Sequence, residues 1–87
     1  MHTFYGDLTI NKCYYRFCFQ PVYCSKGIRF FVKVVHPTKQ LRVFEMEQRG
    51  EQWRVVNAPK ADDFVLAHEA KISALLEELW KKNLREL

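Results

Sequence analysis

The chain carries no signature that a catalyst or a cofactor would need. Its three glycines form neither a phosphate-cradling loop nor a nucleophile elbow, and no H-E-x-x-H pair is present. Three cysteines, an odd count at wide spacing, make a poor disulfide framework and include no C-x-x-C ligand pair. Cys13 and Cys18 point to opposite faces of one predicted strand, so they cannot converge on a shared zinc. Neither a metal nor a cofactor is expected. No window holds the long uncharged apolar run that a membrane-spanning helix requires. The opening "MHTFYGDLTI" lacks a basic segment followed by an apolar stretch, so a secretory signal is not expected and a cytoplasmic location is. The paired carboxylates are placed by a helix rather than by acid–base chemistry. Asp62-Asp63 falls where a helix N-terminus favours negative charge, and Glu77-Glu78 falls on its solvated face. The expectation is a protein that is not an enzyme.

What the sequence does hold is the material of one small folded domain, residues 1–87. An apolar fraction of 48% with 28% charged residues excludes a disordered chain. The net charge of +4 is unevenly spread. Residues 1–60 carry ten Lys and Arg against four acids, and residues 61–87 carry four against six. Basic character therefore belongs to the first two thirds, an asymmetry that often accompanies a polyanion partner.

Apolar residues alternate with period two as far as about Val56, then adopt a helical period. "FYGDLTI" (Phe4–Ile10) sets Phe4, Leu8 and Ile10 on one side. Asn11-Lys12 makes a tight connection. "CYYRFCFQ" (Cys13–Gln20) puts Tyr15, Phe17 and Phe19 on one face, and Pro21 is expected to end this strand or mark a bulge. "GIRFFVKVV" (Gly27–Val35) is the clearest strand, with Ile28, Phe30, Val32 and Val34 turned together. "HPTK" (His36–Lys39) reads as a turn. "QLRVFEME" (Gln40–Glu47) is ambiguous, because Leu41 and Val43 face one way while Phe44 and Met46 face the other; a bulge near Val43 or two partly covered faces would reconcile them. "QRGE" supplies a further turn, and "QWRVV" (Gln52–Val56) makes a short last strand. After the linker "NAPKADD", a helix starting at or soon after Asp62 or Asp63 lines up Val65, His68, Ile72, Leu75, Leu76 and Leu79. Glu69, beside that stripe, is expected to pair with a cation of the sheet. The expected fold is α+β: an antiparallel meander sheet of four to five strands (residues 1–60), then one long C-terminal helix (residues 61–87) packed on one face.

Two surfaces are left over. Opposite the helix, the sheet would present Tyr14, Arg16, Arg29, Phe31, Lys33 and Val35, with Arg42 and Arg54 added depending on register. Rings interleaved with cations on an open antiparallel sheet are suited to holding single-stranded nucleic acid, bases on the rings and phosphates on the cations. The candidate binding residues are Tyr14, Arg16, Arg29, Phe31, Lys33 and Arg54. The same face could instead strengthen the sheet through cross-strand pairs, or dock a protein partner. At the other surface, a helix from Asp62 to Arg85 would run about 36 Å against a sheet about 20–25 Å wide. Trp80, Leu84 and Leu87 would then project, to be covered by a second subunit in a homodimer; a shorter or curved helix would instead leave Trp80 capping the core edge.

This succession of antiparallel strands and one C-terminal helix, with a basic strand region, resembles the Whirly and transcriptional-coactivator fold that binds single-stranded DNA. The resemblance covers most of the chain in topology and character, and it carries over no individual residue. "FFVKV", "VFEME" and "QWRVV" are also similar to strands of a group of short bacterial proteins, from which no role follows.

Overall fold

A computed structural model describes residues 3–25, 27–35, 41–56 and 63–85, except the side chains of Cys24, Leu41, Asp63, Leu84 and Arg85. Five strands, β1 (Phe4–Ile10), β2 (Cys13–Cys24), β3 (Gly27–Val35), β4 (Leu41–Arg49) and β5 (Gln52–Val56), precede helices α1 (Asp63–Ala67) and α2 (Glu69–Arg85). The strands form one antiparallel meander in chain order, β1-β2-β3-β4-β5. The expected HPTK turn, the linker before Asp63 and the helix start at Asp62 lie outside the described residues.

Alternation decides which side chains go inward. On β2 and β3, Phe17, Phe19, Phe30, Val32 and Val34 have no solvent exposure, whereas Arg16, Gln20, Lys33 and Val35 between and beside them are exposed. The ambiguity of β4 is settled by its partner. Val32 pairs with Phe44 and Phe30 with Met46 in unbroken register, so Phe44 and Met46 enter the core and Val43 turns to the opposite face, with no bulge. The same register sets Arg42 beside Val34, on the helix side rather than the open face, and its guanidinium lies 4.9 Å from the centre of the Phe64 ring.

Pro21 neither ends β2 nor bulges it, and it pairs with Phe30 in the regular ladder. Phe19 is the last β2 residue paired with β1, and a position beyond the paired stretch tolerates a residue without an N–H. The β1–β2 hairpin turns on Asn11 and Lys12, both at positive φ, 52° and 65°, as a type I′ loop requires. Lysine is strained there. Lys12→Gly should raise stability by about 0.5–1 kcal/mol, the relief of strain exceeding glycine's extra unfolded-state entropy. A urea midpoint that moves up with an unchanged slope would show it; an unchanged or lower midpoint would refute it.

One residue, His68, interrupts the helix, and its N–H is shared between the carbonyls of Phe64 and Val65 at 3.3 Å. Val65, Ile72 and Leu76 are buried beneath the helix, as their spacing requires. Gly6 lies within β1, directly under α2. A Cβ built there would sit 2.9 Å from a Leu79 methyl and 3.0 Å from both Leu75 methyls. At the opposite border α2 meets β5. Ser73 Oγ accepts the Trp53 N–H at 3.2 Å, and Glu69 accepts the Val55 N–H at 2.8 Å. The curled sheet thus brings its first and last strands to one helix.

Candidate nucleic-acid interface

The face away from the helix is ordered by the same registers. One row crosses Tyr5, Cys18, Lys33 and Val43; the next, Asp7, Arg16, Val35 and Leu41; on the other side run Gln20, Phe31, Glu45 and Val56, then Val22, Arg29, Glu47 and Arg54. All six candidate binding residues belong to this face. They fall into two groups that differ in chemistry.

The first group sits on β1, β2 and β3. Tyr14 is 57% exposed and Tyr5, diagonal to Arg16, is 58% exposed. The Arg16 guanidinium lies 5.5 Å from the centre of the Tyr5 ring and 3.9 Å from an Asp7 carboxylate oxygen. Asp7 also raises the pKa of the neighbouring Tyr14 phenol above its ordinary value, first through hydrogen bonding; slight burial and the Asp7 charge act in the same direction. Lys33, two strands from Tyr5, is exposed. This corner offers two rings, two cations and one carboxylate.

In the second group the cations are already engaged. Glu47 takes Arg49 at 2.8 Å and Arg29 at 3.0 Å. The hydrogen bond from Arg49, with the charges of both arginines, holds the Glu47 carboxyl below its ordinary range. Arg54 reaches around the β5 edge to Glu69 at 3.4 Å. Arg29 and Arg54, expected to meet phosphates, are therefore bound to carboxylates. Phe31 stands half-buried between Gln20 and Glu45.

Three features escaped the sequence. Tyr5 is outward because it follows the inward Phe4 in the alternation, a signal that the inward set Phe4, Leu8 and Ile10 does not itself display. The acids opposing the cations could be seen only in register. Glu77, assigned to the solvated helix face, instead turns towards the sheet and accepts the Trp53 indole N–H at 2.8 Å, with Lys81 at 3.4 Å. Glu69 pairs with a sheet cation as its position suggested.

The expected projecting end of the helix is different in kind. Trp80 is half-buried, its ring 5.6 Å from Phe30, 6.1 Å from Phe4 and 6.4 Å from Trp53. It closes the edge of this chain's own core, because the seventeen residues of α2 span only about 25 Å at 1.5 Å each. The Leu84 side chain and Leu87 lie outside the described residues. Among those described, no group of three or more His, Cys, Asp or Glu could hold a metal ion, and no helix is long and apolar enough to cross a membrane. The chain matches no protein-family model, no curated protein and no solved structure.

Proposed function

We propose that this protein binds single-stranded nucleic acid without catalysis, through the open face of its sheet. The reading is carried by one observation: Tyr5 and Tyr14 stand exposed beside Arg16 and Lys33, on a sheet whose other face holds the buried core. Bases stack on Tyr14 and Tyr5 and, at the border of the site, on Phe31. Phosphates meet Lys33 and Arg16. Arg29 and Arg54 contribute less, because their carboxylates hold them at 3.0 and 3.4 Å, closer than the 3.9 Å between Arg16 and Asp7. A stacked base contributes about 1–3 kcal/mol, so two rings and two cations give a modest affinity that falls as salt rises.

The test is a titration with a labelled oligothymidine of about 12 nucleotides, within the span such surfaces cover, at two salt concentrations. Binding that weakens with salt, and that Tyr14→Ala or Phe31→Ala weakens about fivefold or more, is the expected result. No binding at low salt, or binding indifferent to both substitutions, would retire the reading.

A second reading has its own observation. Val22 and Val35, both on the open face, expose roughly half their surface, and apolar side chains on an open sheet also suit a protein partner. An oligonucleotide titration that fails, followed by a partner interaction abolished by Val35→Asp and insensitive to salt, would favour it.

A further inference from the structure

Asp7 is the one carboxylate in the basic-aromatic corner of β1, β2 and β3, and it holds the two groups there that a nucleotide would need. It lies directly opposite Arg16 in the ladder and diagonal to Tyr14. The Arg16 Nε is 3.9 Å from its Oδ1, and the Tyr14 phenol lies near enough for Asp7 to raise its pKa. Arg16 meanwhile covers the Tyr5 ring. A carboxylate beside both a guanidinium and a hydroxyl occupies the place a phosphate would take.

We infer that Asp7 is an internal competitor for the phosphate and sets the affinity of the site by holding Arg16 until a phosphate replaces it. This inference rests on the single-strand reading above. Arg16 exchanges one anion for another when the strand arrives, so its charge contributes little net counterion release. Lys33, whose row holds no acid, contributes in full. The arrangement favours strands that can supply a phosphate and a base together, since the phosphate must displace Asp7 and the base must take the Tyr5 ring that Arg16 uncovers. A free phosphate meets only the first of these conditions.

The substitution Asp7→Asn keeps an oxygen beside the Tyr14 phenol but removes the competing charge. With the labelled oligothymidine as probe, the variant should bind about two- to fivefold more tightly at low salt, the range an exposed ion pair commands. Its plot of log affinity against log salt should steepen by about 0.7, the release expected when one more cation neutralises a phosphate of a single strand. Glu78→Gln is the control: it removes the same charge from an exposed position on the helix and should change the slope by far less. Wild-type binding with no change of slope in Asp7→Asn, or an equal change in Glu78→Gln, overturns the competitor role alone. Absence of wild-type binding overturns the parent reading and this inference with it.

Discussion

Phe30→Ala is expected to lower the unfolding free energy by about 3–5 kcal/mol, while Phe31→Ala, one residue along, costs about 1 kcal/mol. The two rings differ only in the direction the strand turns them. Phe30 has no solvent exposure and meets Trp53 edge-on at 5.0 Å, Trp80 at 5.6 Å and Phe4 at 5.7 Å. Its removal leaves a void bounded by three large rings on β1, β5 and α2, which cannot collapse without moving all three. Against a total stability of roughly 5–15 kcal/mol for a domain of this kind, such a loss approaches unfolding. Phe31 loses only cross-strand contacts with Gln20 and Glu45. Urea denaturation of both variants decides the matter. Equal losses would mean that the open face is covered, and would remove the platform as well as the prediction.

The second large effect lies at the β5 border. Glu69→Ala strips an acceptor from the Val55 N–H and a partner from Arg54, at a cost of about 1–3 kcal/mol. Helix propensity cannot be the cause, since alanine is the best helix former. Glu69→Gln retains an oxygen for the Val55 N–H and should recover most of the loss. The alanine variant should also self-associate more readily, because an outward N–H of an edge strand is then free to pair with another chain. If thermal unfolding finds both variants within about 0.5 kcal/mol of wild type, the contact does not secure the edge.

Much of this architecture was legible because period two is a strict rule. Phe17, Phe19, Phe30, Val32 and Val34 could be sent inward from their spacing alone, and the meander order followed from short turns at Asn11-Lys12 and Gly50. Legibility stopped wherever a residue's fate depended on a neighbour from another strand. Arg42 went to the helix side because Val34 stands opposite it, and sequence spacing around an apolar run on both faces of β4 could not say so. Arg29 looked like a free cation until the register set Glu47 beside it. Glu77 looked solvated because Glu78 and Lys81 flank it on its own helix; its partner, the Trp53 indole, lies 24 residues earlier. The outward cations and rings of the candidate site were readable one by one, but the carboxylates that pair with Arg16, Arg29 and Arg54 were not.

The seat that Gly6 provides for Leu75 and Leu79 has a consequence for biosynthesis. The first strand receives Leu75 and Leu79 at Gly6 from a helix made about seventy residues later, and the last strand relies on that same helix for its outer amides. During translation both borders of the sheet wait bare until α2 clears the ribosome, so the nascent chain passes through a sticky, half-finished stage. Slow clearance of its final turns, or a premature stop before them, would send this protein to chaperones or to aggregates rather than to a smaller working domain.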